Sequence, residues 1–327
     1  MNCAACTDRP PGCWKAGHYG CWRERDAAKR AFLKSGRCPY QAKRGIVTTA
    51  GGPTYFLNAF LNCCLLREKG CALPIEWAHL GAEMEPAWID AALRWIPGLT
   101  FIDLGGGQRR NTKGRGGWQS KIRAVQASSF ADVLFLDADC FPRVDPSFLF
   151  DRPEYTEVDA VLWADVRPWE ADRAAYLNKR YGITLPREQC ESGQLMIHKG
   201  RAAAMLDEVA RLHTEPDIYQ VVFGDKDTWL IAALRTGTPY RMQNGHRGCR
   251  GGISQPDFDG NPLFAHLTHG KFEWNRLPRT IERALPGVGR AEILQRQLAE
   301  WLGMGQAPLP LPFTRERRRA EALVGRR

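Results

Sequence analysis

The chain has 327 residues, 44% hydrophobic and 25% charged, with eleven cysteines and a net charge of +10, enough for one large α/β domain or two modest ones. No stretch approaches the roughly 20 apolar residues that span a bilayer, and Met1-Asn-Cys-Ala-Ala-Cys6 has no apolar signal core, so the sequence reads as cytoplasmic. In a reducing compartment the cysteines serve as thiols or metal ligands rather than as a disulfide framework.

The charge sits at the ends. Residues 1–44 carry ten Lys/Arg against three Asp/Glu, and residues 305–327 carry six against two. The middle is nearly neutral, so three parts are expected: a basic Cys-rich segment 1–44, a globular domain 45–304, and a Pro-containing linker with a basic tail, 305–327. Basic ends of this kind either dock an acidic partner such as nucleic acid or act as solvated tails. Cys3, Cys6, Cys13 and Cys21, with His18 among them, suit a small structural zinc site of four cysteines or of three and a histidine. A metal would supply the folding energy that this aliphatic-poor segment lacks. Free thiols or an iron–sulfur cluster fit the same residues.

Gly45–Ala50 reads as the first strand of the main domain, and Gly51-Gly-Pro53 as a turn into a helix carrying Phe56, Leu57, Phe60, Leu61, Cys64 and Leu65 at helical spacing. A strand at Leu73–Leu80, with Ile75, Trp77 and His79 alternating, a helix through Trp88–Trp95 and a strand at Leu99–Leu104 complete a β-α-β-α-β half. The glycine-rich run from Gly105 to Gly117, bearing Arg109, Arg110, Lys113 and Arg115, cannot pack a core and is expected to be a mobile loop, suited to phosphate contact or simply exposed. Trp118–Phe130 reads as a helix.

Val133-Leu-Phe-Leu136 is an unbroken apolar run ending in Asp137-Ala-Asp139. Such a run suits a central strand buried on both faces, and charge at its end marks the carboxyl edge of a sheet, where ligands bind. Two carboxylates two residues apart share a side of an extended chain. They are turn-formers, or they hold a hard divalent cation against a diphosphate. Val158–Ala164 is another buried strand; Trp163, Trp169, Tyr176 and Tyr181 nearby fit a sugar cleft or plain core. Glu191-Ser-Gly-Gln194 opens a strand ending at His198, and a helix runs from Arg201 to His213. Gly224-Asp-Lys-Asp-Thr-Trp229 starts a further helix whose two aspartates exceed the needs of one cap. Tyr240–Gln243 is a strand, Pro262–Lys271 a strand ending in His266, His269 and a cation, and 290–302 an amphipathic helix.

Six motifs in this order, Gly117-Trp-Gln-Ser-Lys121, Val133–Asp139, Asp145–Phe150, Glu191–Leu195, Gly224–Thr228 and Pro262–His266, resemble the fungal α-mannosyltransferase family and its bacterial and viral relatives. The resemblance spans about residues 45–275. It implies a GT-A fold, a Rossmann-like, mostly parallel sheet flanked by helices, on a plan shared with glycogenin-like retaining transferases. It also implies transfer of a hexose, mannose among the options, from a nucleotide-diphosphate sugar to a hydroxyl, with retention. By resemblance Asp137 and Asp139 hold Mn²⁺ or Mg²⁺ with His266, or with His269 in its place. Lys121 and Lys271 meet donor phosphates, and Thr49, Ala50 and Gly51 pass under the nucleotide. Glu191, Gln194, Asp225 and Lys226 line the sugar and the reaction centre. Asp225 is the candidate nucleophile of a double displacement; a front-face route needs none. The acceptor is a carbohydrate, or a hydroxymethylated base flipped from DNA docked on the basic ends. A dead transferase fold that only binds nucleic acid is the non-enzyme alternative.

Overall fold

The computed structural model describes residues 44–105, 117–249, 252–268, 271, 272 and 298. The Cys-rich segment with Cys3, Cys6, Cys13 and Cys21, the Arg-rich run 106–116, His269, the expected 290–302 helix apart from Leu298, and the basic tail lie outside the described residues.

Strand β1 (Arg44–Thr49) leads into helix α1 (Gly52–Glu68), with Pro53 at its first turn. Strand β2 (Ile75–His79), helix α2 (Pro86–Trp95) and strand β3 (Leu99–Asp103) follow. Helix α3 (Gln119–Ala127) precedes β4 (Asp132–Leu136) and the short β5 (Cys140–Pro142). Next come α4 (Pro153–Thr156), β6 (Ala160–Pro168), α5 (Ala171–Tyr181) and β7 (Glu188–His198). The chain continues through α6 (Ala203–Leu212), α7 (Ile218–Val221), α8 (Lys226–Thr236), β8 (Tyr240–Gln243), β9 (Arg247–Cys249), β10 (Gly252–Pro256) and β11 (Pro262–His266).

The main sheet has the order β3-β2-β1-β4-β7-β6-β8. Its β3, β2, β1 and β4 run parallel, β7 runs antiparallel to both β4 and β6, and β8 is parallel to β6. A smaller antiparallel sheet, β5-β11-β10-β9, brings the end of β11 against the segment just after β4. Alternate residues of β4 enter two different core clusters, Leu134 and Leu136 in one and Val133 and Phe135 in the other. The strand is therefore buried on both faces, as its apolar run implies. Phe56, Phe60 and Trp88 fill the first cluster, and α3, α6 and α8 contribute to the second.

Two expectations change. In β2 all five residues are buried rather than alternate ones, because it is an interior strand; Glu76 is accommodated by Ser129, whose N–H and hydroxyl donate to its carboxylate at 2.9 and 2.5 Å. Glu191–Gln194 lies inside β7 rather than ahead of a strand. Of the two readings open for Trp163, Trp169, Tyr176 and Tyr181, plain core describes Trp163 in one cluster and Tyr181 in the other, with Trp169 packed against the latter and Tyr176 exposed.

Candidate metal and diphosphate site

The site grows from the carboxyl end of β4. The Asp137 N–H donates to the Gly193 carbonyl at 2.8 Å, tying the D-x-D turn to β7, and the Leu267 N–H donates to the Asp139 carbonyl at 2.9 Å, tying it to the end of β11. Two asparagines one turn apart on α1 complete the mount. Asn62 Nδ2 donates to the carbonyls of Asp137 and Cys140 at 3.1 and 2.9 Å. Asn58 donates to the Phe272 carbonyl at 2.9 Å and accepts from its N–H at 3.1 Å, fixing the residue next to Lys271. Neither asparagine was singled out by sequence reasoning, although two polar residues four apart in a helix buried from Phe56 to Leu66 are a detectable signal.

Asp137, Asp139 and His266 each present a ligand atom, all within 4.8 Å of one another. His266 Nε2 lies 3.5 Å from Asp139 Oδ1 and 3.8 Å from Asp137 Oδ2. Its Nδ1 is 3.1 Å from Glu191 Oε1, a close electrostatic contact. The ring rests on Gly193, where a Cβ would come within 2.4 Å of Nδ1; no other residue leaves room for the imidazole. Two carboxylates and an imidazole form a donor set that suits Mn²⁺ or Mg²⁺, and a carboxylate behind the histidine is the usual outer support of such a ligand. Burial alone pushes Glu191 up, but His266, the Gly193 N–H and Lys121 outweigh it and bring the carboxyl down to about 2. Burial likewise pulls His266 down, while Glu191 and Asp137 lift it above the ordinary imidazole value.

Lys121 is the buried cation of the network. Its Nζ lies 3.1 Å from Asp137 Oδ1 and 3.0 Å from Asp225 Oδ2, donates to the Ser192 carbonyl and hydroxyl at 2.7 and 2.9 Å, and sits 5.1 Å from the Phe135 ring centre. Burial lowers its pKa, and the two aspartates more than reverse this. Asp225 precedes α8 but makes no side-chain cap; its Oδ2 instead accepts from Lys121, Ser192 Oγ and Trp229 Nε1, each at 3.0 Å. Lys271 pairs with Asp139 and lies over the Tyr55 ring; burial brings its pKa down.

Lys226 pairs with Asp165 and donates to Gln189 Oε1 at 2.6 Å, next to the buried Asp227. Thr49 Oγ1 is 3.2 Å from Ser120 Oγ, linking the end of β1 to the residue before Lys121, and the Ala50 carbonyl accepts from Trp77 Nε1 at 3.0 Å. At Gly51 a Cβ would fall 2.1 Å from Glu83 Cδ, so the chain closes there against a carboxylate. Gln194 is fully buried: its Oε1 accepts from Cys140 Sγ at 3.5 Å behind the D-x-D turn, and its Nε2 is a buried donor without a partner among the described residues. Cys63, Cys64, Cys71, Cys140 and Cys190 are buried free thiols, and burial pushes Cys63 up to about 12 and Cys71 to about 11.

Asp227 yields a pH prediction. Burial, opposed by Lys226 and the Cys190 N–H, raises its carboxyl from 3.8 to about 7. The folded chain therefore holds this proton more tightly than the unfolded one, and its contribution to stability falls as pH rises from about 4 to about 7. Asp227→Asn retains an acceptor for the Cys190 N–H (3.1 Å). The variant is expected to gain on the wild type across that window by up to about 4 kcal/mol, read as the difference in unfolding free energy at pH 4 and pH 8. A pH-independent difference would sink the assignment.

Among the described residues no helix is long and apolar enough to cross a membrane. Alpha-1,2-mannosyltransferase MNN2 of Saccharomyces cerevisiae is 27% identical over 268 residues, covering 67% of this chain and 45% of that protein. Alpha-1,2-mannosyltransferase MNN24 of Candida albicans is 25% identical over 249 residues, covering 60% and 33%. The chain thus spans less than half the length of these two relatives. A crystal structure of an active-site mutant of LgtC superposes with a TM-score of 0.51 at 14% identity, covering 85% of this chain and 99% of LgtC, and the fold is the expected GT-A type. The family described as "Mannosyltransferase putative" matches residues 43–179 and 170–269, which is most of the chain, and the protein belongs to that family.

Proposed function

We propose that this protein is a glycosyltransferase that moves a hexose, mannose by family, from a nucleotide-diphosphate sugar to a carbohydrate hydroxyl with retention of configuration. The observation that carries the reading is the convergence of Asp137, Asp139 and His266 at the carboxyl edge of a GT-A sheet. When bound there, a divalent ion supplies Lewis-acid stabilisation of the departing diphosphate.

The chain's own residues do the rest. Lys271 adds a positive charge beside Asp139, where the leaving phosphate gathers negative charge. Lys121 neutralises Asp137 from within the core, so that the two D-x-D carboxylates do not repel the diphosphate unopposed. Glu191 holds the His266 ring in place. Asp225 is a positioning group in this reading, because its Oδ2 already accepts three hydrogen bonds and is buried. That supports the front-face route, in which the departing phosphate oxygen takes the acceptor proton and no enzyme carboxylate bonds to the sugar.

The test is a panel of nucleotide-diphosphate hexoses supplied with Mn²⁺ or Mg²⁺, with α-mannobiose or hydroxymethylated DNA as acceptor. GDP- or UDP-hexose turnover that depends on the ion and on mannobiose is expected, with the α-linkage visible by NMR. Absence of turnover by folded protein with every donor and ion overturns the reading; transfer only to DNA replaces the carbohydrate acceptor.

A further inference from the structure

Phe223 is 76% exposed, the most exposed large apolar side chain among the described residues, where the next, Val144, is 48%. The residue before it, Val222, is buried, and Asp225, two residues on, is 5% exposed. Consecutive Cα spacing puts Phe223 at most about 7 Å from Asp225 along the backbone. The link between them is Gly224, with φ +69°, packed so tightly on Trp118 that a Cβ would lie 3.1 Å from the indole. Trp118 in turn packs on Tyr219, with ring centres 5.0 Å apart, and the Tyr219 hydroxyl is held 2.5 Å from His213 Nδ1. Trp118 and Tyr219 are both partly exposed. Trp118 and Tyr219 thus form a packed aromatic pair with Tyr219 held through its hydroxyl, Gly224 lies on the Trp118 indole, and the exposed Phe223 sits one residue before it on backbone that runs on to Asp225.

We propose that the exposed Phe223 and the neighbouring Trp118–Tyr219 pair together make a ledge that is the acceptor subsite and takes the apolar face of a pyranose. The inference rests on the transferase reading above. A pyranose presents C–H groups on one face and hydroxyls around its edge, and an aromatic face meets the former while leaving the latter free to react. Phosphates are an unsuitable occupant of bare hydrocarbon. The carboxylates that would hold a divalent ion against the donor's diphosphate belong to Asp137 and Asp139, and Lys121 lies between Asp137 and Asp225. The ledge thus continues the site on its Asp225 side and selects the acceptor rather than the donor.

The test compares wild type, Phe223→Ala and Phe223→Tyr with α-mannobiose as acceptor. The alanine variant is expected to raise the acceptor KM about five- to tenfold, with the donor KM moving less than twofold and the tyrosine variant restoring the wild-type value. An acceptor KM within twofold of wild type, or an equal rise in donor KM, overturns the proposal. So does loss of a wild-type dimer in light scattering, which would make the ledge a contact between copies. If wild type transfers no sugar, the transferase reading fails on its own. The ledge is then read by saturation-transfer NMR with mannobiose, where binding lost in Phe223→Ala upholds it and no binding to wild type overturns it.

Discussion

Asp139→Asn is expected to lower kcat by about a thousandfold or more while the protein stays folded. Asparagine keeps the shape of the side chain and the backbone bond from the Leu267 N–H to the residue 139 carbonyl. It removes the charge that faces both Lys271 and His266. Lys271 is 30% exposed and can turn to water, so the stability cost is small, about 1 kcal/mol or less. The catalytic cost is large because a hard cation prefers charged oxygen, and a neutral amide weakens the whole donor set. The measurements are kcat at saturating Mn²⁺ and the Mn²⁺ affinity by calorimetry, which should fall by at least about tenfold. Activity within tenfold of wild type, with Mn²⁺ affinity unchanged, would remove Asp139 from the site.

Lys121→Met tests stability rather than chemistry. The ammonium is 6% exposed and neutralises two carboxylates, of which Asp225 is 7% and Asp137 26% exposed. Asp137 can draw on solvent, so the main penalty falls on Asp225, left buried and charged without its cation. Breaking a buried pair from one side costs about 3–5 kcal/mol, a fall in Tm on the order of 10 °C for a domain of this size. Adding Asp225→Asn to Lys121→Met removes the stranded charge and should recover much of the loss, a non-additivity of at least about 1 kcal/mol. Strict additivity in thermal or urea denaturation would mean that the two groups do not interact.

Much of this was legible in the sequence for a physical reason. The Val133–Leu136 run suits a strand buried on both faces, so the position of Asp137 and Asp139 at its carboxyl end was readable from pattern alone, while their shared role came from the ordered motifs. His266 was readable only through the ordered motifs, because it pairs with Cys140, far back along the chain. What stayed hidden depended on strand direction. β7 runs antiparallel to β4, which pairs Gln194 with Leu136 and puts Glu191 beside His266 but Gln194 behind the turn. Neither orientation nor register is written in Glu-Ser-Gly-Gln. Asn58 and Asn62 were hidden for another reason: an amide in an apolar helix looks like a tolerated exception until the carbonyls that it satisfies are seen.

The paired asparagines of α1 have a mechanical consequence. One fastens the acidic turn and the other fastens the backbone beside Lys271, so the anionic and cationic jaws ride on a single rail. The separation of the two jaws is therefore set partly by the one-turn spacing of Asn58 and Asn62 along a single helix. The bite is thereby insulated from motions that would pry apart two loops tethered separately.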